Sequence, residues 1–135
     1  MSTPFLDTNV VLRHLLADHP DHSSRSTELL RRLEQGAVRV RTSELVVFEC
    51  VFTLERYYHV PKNAIRDALL PLIELPGIIL PGKRRLRVAF DLYVLHRLPF
   101  ADAYHAALMQ QIGLSDIISF DHDFDRLPGI RRQEP

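Results

Sequence analysis

Four carboxylates in this chain occupy positions where chemistry explains them better than solvation does. Asp7 follows the apolar run Pro4-Phe5-Leu6, and Asp121 follows Asp116-Ile117-Ile118-Ser119. Both runs read as short strands, so each acid projects from a carboxyl end, the edge at which α/β sheets bind ligands. A solvated turn is the alternative for either one, since Asp favours turns. Glu49 lies in a helical stretch with Leu45, Val46, Phe52 and Thr53 as neighbours three and four residues away. That spacing predicts a carboxylate on the buried face, where an unpaired charge is costly. A salt bridge at the core edge, or a tilt out at the margin of the stripe, is the structural alternative. Asp102 opens a later helix, where the dipole favours an acid, and it begins a stripe continued by Ala106 and Met109 that is expected to face the sheet. Oxygen ligands delivered by separate elements are how sites for hard divalent cations are built. Magnesium or manganese held there would offset charge on a phosphate and activate a water, as one ion or as a pair roughly 3.5–4 Å apart. Phosphodiester hydrolysis is the reaction class this chemistry serves.

The elements that must position these acids alternate. After the first strand, Val10, Val11, Leu12, Leu15 and Leu16 give a helical stripe. A second helix is predicted from Asp21 to Gln35, ending at Gly36, followed by the strand Val38 to Arg41. Thr42 or Ser43 is expected to cap a third helix reaching about Tyr58, and Pro61 to start a fourth that Pro71 bends. Ile78, Ile79 and Leu80 read as a strand, about Gly82 to Arg97 as a helix stopped by Pro99, and about Ala101 to Ile112 as a helix ended by Gly113. Asp116 to Ser119 is the last strand, followed by a polar turn and a short tail. Strands and helices in alternation predict an α/β fold with three layers, α/β/α, around a central, mostly parallel sheet of four to five short strands.

Bulk properties bound the reading further. A chain of 135 residues that is 46% hydrophobic fits one domain, residues 1–135. Seventeen Lys and Arg balance seventeen Asp and Glu, so any nucleic-acid site must be local. Cys50 is the single cysteine, which excludes an internal disulfide and favours a reducing compartment. No window approaches the roughly 18 apolar residues of a membrane span, and no secretory leader is visible, so a soluble cytoplasmic protein is expected. Five glycines form no phosphate-binding loop, which argues against kinases, NTPases and dehydrogenases.

The motifs, taken in order, resemble a known family. Asp7-Thr8-Asn9 after a first strand, Glu49 on a third helix, Phe100-Ala101-Asp102-Ala103 opening a later helix and Ser119-Phe120-Asp121-His122-Asp123-Phe124 near the end resemble the PIN-domain ribonucleases over nearly the whole chain. In length and layout, with the tail Asp125-Arg126-Leu127-Pro128-Gly129-Ile130, the sequence is similar to the VapC toxins of type II toxin–antitoxin pairs. The resemblance implies a metal-dependent endoribonuclease using Mg2+ or Mn2+, an RNA substrate, a cognate antitoxin and a homodimer. It carries the ligand role to Asp7 and Asp102, with Glu49 as third acid and Asp121 as fourth, Asp123 being the alternative fourth. Ser119 stands where the family often has Thr, and Thr8 is expected to orient the Asp7 carboxylate by hydrogen bonding.

Other constellations are weaker. Lys83, Arg84, Arg85 and Arg87 form the one dense basic run and, with Arg13, are candidates for gripping RNA phosphates, a solvated helix face being the alternative. Asp18-His19-Pro20-Asp21-His22 reads as a polar turn rather than a zinc site, because Pro20 interrupts a helical ligand pair. Cys50 has no evident base and is expected to serve packing. A PIN-fold maturation nuclease and a catalytically idle partner-binding module are the competing functions. A phosphomonoesterase of the haloacid-dehalogenase type needs an acid where Asn9 stands.

Overall fold

A computed structural model describes residues 2–135, which divide into two compact units, one running through Lys83 and one from Arg84 to Pro135. In the first unit, β1 (Val40–Arg41) pairs in parallel with β2 (Ile78–Ile79), Val40 opposite Ile78. On its other side Phe5 bridges to Arg41, also in parallel; Leu6 N–H donates to the Arg41 carbonyl at 2.7 Å and Arg41 N–H to the Pro4 carbonyl at 2.8 Å. Three extended segments thus lie side by side with β1 in the middle, and the first of them ends at Asp7.

Four helices accompany these strands: α1 (Thr8–Leu16), α2 (His22–Glu34), α3 (Glu44–Arg56) and α4 (Lys62–Ile73). The Asp7 carboxylate accepts the Thr8 N–H and caps α1, and the Ser43 hydroxyl accepts the Val46 N–H and caps α3. Along α3 the buried residues are Val46, Val47, Cys50, Val51 and Leu54, a helical stripe that joins Leu6, Val11, Leu33, Ile65, Leu69 and Ile78 in the core. Pro71 lies inside α4, two residues before its last, Ile73. Gly77 is required by space: a Cβ there would stand 2.7 Å from the Val38 carbonyl oxygen and 2.8 Å from that of Leu33.

From α5 (Lys83–Leu95) onward the chain builds the second unit, with α6 (Phe100–Ile112) and β3 (Asp116–Ile118). Phe90, Tyr93 and Phe100 pack edge to face and tilted, with ring centroids 4.8 to 6.4 Å apart. Gly113 closes α6 in the left-handed conformation, φ 77°. After β3 a 3-10 turn, His122–Arg126, leads to β4 (Arg131–Gln133), which pairs in parallel with β3. The polar tail expected from the sequence is therefore a strand. Arg131-Arg132-Gln133 lacks an apolar alternation because its ladder is held by backbone bonds and by Arg131 reaching Asp116 across the strands at 2.8 Å. Among the described residues the architecture is α/β with six α-helices and parallel strand pairs only.

Candidate metal centre

Three acids meet in the second unit. Asp102 stands in the first turn of α6, half-buried; Asp121 precedes the 3-10 turn and Asp123 lies within it. One carboxylate oxygen from each falls within 4.8 Å of the others. The turn is shaped by its own side chains. Asp121 N–H donates to the Ser119 hydroxyl at 2.9 Å, and the Asp121 carboxylate accepts the Asp123 N–H at 2.9 Å. Arg126 donates to the Asp123 carboxylate at 2.8 Å and to the carbonyls of His96 and Arg97 at 3.3 and 3.4 Å.

Proton affinity is divided unequally in this cluster. Partial burial first, and then the hydrogen bond and charge of Asp121, push the Asp102 carboxyl up to about 6. Asp121 moves the other way, held below the usual carboxylate range chiefly by the Asp123 N–H. Of the two, Asp102 holds a proton the more readily and Asp121 gives it up the more readily. Once that proton leaves, like charges crowd one another, and a cation is the group that lets them coexist.

The other two expected acids, Asp7 and Glu49, stand in the first unit and outside that cluster. Glu49 is exposed, contrary to the buried position expected from its neighbours. The reason is that Leu45 and Phe52, counted on the sequence as core, are themselves 64% and 57% exposed, and the buried stripe runs one residue round the helix through Val46, Cys50 and Leu54. Glu49 and Asp7 both act on the Cys50 thiol, which burial and then these two charges push up to about 12. Both carboxylates therefore stand within electrostatic reach of the same sulfur. Asp7 is oriented by the Thr8 backbone N–H at 2.8 Å rather than by the Thr8 hydroxyl, which is buried and has no hydrogen-bond partner among the described residues.

The PIN-domain family model matches residues 5–130. The chain belongs to the PIN-domain family. Two relatives are similar at 30% identity over 130 residues, covering 94% of this chain and 96% of theirs: a VapC ribonuclease of Mycobacterium bovis and ribonuclease VapC13 of Mycobacterium tuberculosis.

Within this PIN domain the remaining candidates divide. Ser119 accepts the Asp121 N–H and so braces an acid of the cluster. Lys83 donates to the Leu75 carbonyl at 3.0 Å, and Arg85 donates to the Gln111 side chain at 2.6 Å with its guanidinium over the Tyr104 ring. Arg84 and Arg87 of that run are exposed, whereas Arg13 pairs with Asp18 at 3.1 Å. His19 and His22 stack at 4.0 Å, and His19 Nδ1 accepts the His22 N–H, the arrangement of a turn.

Two residues of the site were not anticipated. Arg126 grips Asp123, a pairing readable in principle from its spacing three residues on. Arg132, only 10% exposed in its side chain, donates to Asp125 at 3.1 Å, to the Ser119 carbonyl at 3.0 Å and to Glu134 at 3.4 Å, and its third nitrogen lies 3.0 Å from His122 Nδ1. It ties β4 to the turn that carries Asp121 and Asp123. No local pattern announces it.

Proposed function

We propose that this chain is a metal-dependent endoribonuclease that hydrolyses RNA phosphodiester bonds with Mg2+ or Mn2+, as the toxin of a toxin–antitoxin pair. The observation that carries the reading is the convergence of Asp102, Asp121 and Asp123, with the Asp102 carboxyl raised to about 6. An all-oxygen donor set of this kind suits a hard divalent ion and offers nothing to a thiophilic one. The ligands in this reading are Asp7, Glu49, Asp102 and Asp121, with Asp123 as the alternative fourth acid.

A divalent ion bound by these residues supplies Lewis acidity toward the phosphate and lowers the pKa of a water. The chain's own contribution is to release the Asp102 proton, to hold Asp121 ionised through the Asp123 N–H, and to restrain Asp123 through Arg126. Thr8 keeps a buried hydroxyl beside Asp7 that can meet a bound water or phosphate oxygen. The residue set fits the ion.

Both relatives are named as ribonucleases, which supports RNA as substrate, and a cognate antitoxin as partner is what the resemblance to the VapC toxins implies. Leu45 and Phe52, exposed two turns apart on α3, support a homodimer. Among the described residues no helix is long and apolar enough to cross a membrane, which suits a cytoplasmic site of action. The reading takes residues 1–135 as a single PIN domain with one central, mostly parallel sheet of four to five strands, in keeping with a family match over 5–130 and strand pairings that are all parallel.

The test is cleavage of RNA by protein purified free of any partner, with Mg2+, with Mn2+ and with chelator. Cleavage should require the ion and disappear in Asp102→Asn, and expression should arrest growth in the parent but not in that variant. Cleavage that survives chelation or the substitution rejects the mechanism. Tight partner binding without Mn2+ binding would instead favour an idle module.

A further inference from the structure

In the first unit one face of α1 and one face of α2 enclose an open cavity of about 510 Å³. Its floor is apolar, from Val10 and Leu29, while Asn9, Arg13, His22, Arg25 and Ser26 supply its polar wall. The spacings explain the geometry. Asn9 and Arg13 are one turn apart on α1, and His22, Arg25, Ser26 and Leu29 recur at three, four and seven residues along α2. Asn9 is only two residues from Asp7, the cap of α1, so the cavity begins within one helical turn of that carboxylate.

We infer that this cavity is a subsite for one unpaired nucleotide of the RNA, beside the bond to be cut; the inference rests on the ribonuclease reading above. The volume falls within the roughly 300–1,000 Å³ of ordinary ligand sites. Its wall is rich in donors: two guanidiniums, an imidazole, an amide and a hydroxyl. Arg13 and Arg25 each spend one nitrogen on a carboxylate, Asp18 at 3.1 Å and Asp21 at 3.2 Å. The Arg25 pair is well exposed, and such pairs are weak enough for a phosphate to displace, since guanidinium grips phosphate through two parallel bonds.

An unpaired base can lie on Val10 and Leu29 and stack on an Arg or His plane, whereas a duplex presents its bases edge-on within grooves and cannot enter. His22 is preset for this, its ring braced against His19 at 4.0 Å. The donor-rich wall beside a carboxylate favours a polyanion over a protein segment as occupant.

The experiment follows a labelled single-stranded RNA of random sequence, binding to the full chain made inactive by Asp102→Asn, at a series of salt concentrations. Arg25→Gln, alone and with Arg13→Gln, is compared with Arg31→Gln, an exposed α2 arginine that does not line the cavity. Each cavity substitution should weaken binding roughly tenfold and flatten the dependence of log affinity on log salt by about 0.7. In the active background KM should rise while kcat and Mn2+ affinity hold, and Arg31→Gln should change neither binding nor slope. Equal affinity and slope in the cavity variants overturns the subsite and leaves the nuclease intact. A loss confined to antitoxin binding also overturns it and assigns the cavity to a protein. If the parent neither cuts nor binds RNA, the nuclease reading itself fails, and the subsite with it.

Discussion

Replacing the central acid should make this protein more stable while destroying its activity, and Asp102→Asn is the substitution that shows it. The Asp102 carboxyl is raised from an ordinary 3.8 to about 6 by partial burial and by Asp121. A pKa raised on folding means that the group's stabilising contribution is complete below the unfolded value and is lost as pH rises through the folded one. Above pH 6, then, the ionised carboxylate is a net cost to the cation-free fold. At about 1.4 kcal/mol for each pH unit, that cost is at most roughly 3 kcal/mol; Asp102 retains much of its water contact, and screening reduces the working figure to about 1 kcal/mol. Asparagine keeps an N–H donor toward Asp121 and never ionises. In chelator, at about pH 7.5, Asp102→Asn should therefore melt about 3–4 °C above the parent. At about pH 5 the gap should have narrowed to about half, and it should close only as pH falls below the unfolded value of 3.8. Melting curves over a pH series decide it. A variant that melts at or below the parent at the higher pH, or a gap indifferent to pH, refutes the account of where the strain lies.

The same carboxyl sets the cation's pH dependence: Mn2+ affinity should be flat above about pH 6.5 and fall about tenfold for each pH unit below 6, because the ion must displace the Asp102 proton, and a titration series reads this directly. Arg132→Gln should lower Mn2+ affinity about tenfold by releasing the turn that carries Asp121 and Asp123, with Arg132→Lys recovering part of the loss. Cys50, 1% exposed and with its thiol pushed up to about 12, should resist thiol reagents in the native protein and react only in denaturant. Gly77→Ala should cost about 2 kcal/mol in a urea titration with the slope unchanged, since its methyl group meets two backbone carbonyl oxygens under 3.0 Å.

Much of this was legible from pattern because the relevant forces are local. Ser43 before an apolar stripe, Gly113 after one, and Asp7 between a strand and a helix each satisfy backbone groups within a few residues, so sequence spacing reports them faithfully. Glu49 was misplaced because hydrophobicity alone assigns a helix face, and α3 carries apolar residues on more than one. Leu45 and Phe52 widened the apparent stripe until it included a residue that faces water. β4 was missed for the opposite reason: its two arginines and glutamine are stabilised by partners at positions 116, 119 and 125, which no window on the strand itself contains.

The acidic cluster shows why family motif and physical site need not coincide residue for residue. Asp121 and Asp123 are equivalent by composition, yet the structure gives them different work. Among the described residues Asp121 forms no ion pair; it accepts a backbone N–H, and the nearby Arg126 charge offsets its own only in part. Asp123 is already engaged by Arg126, itself anchored to two carbonyls. Three carboxylates against one guanidinium leave two negative charges once Asp102 ionises, the charge that one divalent ion carries. A second ion held by these three acids alone would overcompensate them and would compete with a guanidinium that costs no dehydration of a free ion to bring in. On the proposed reading, Arg126 separates the two acids that the sequence offers as alternatives, holding Asp123 in an ion pair and leaving Asp121 to take a cation with Asp102.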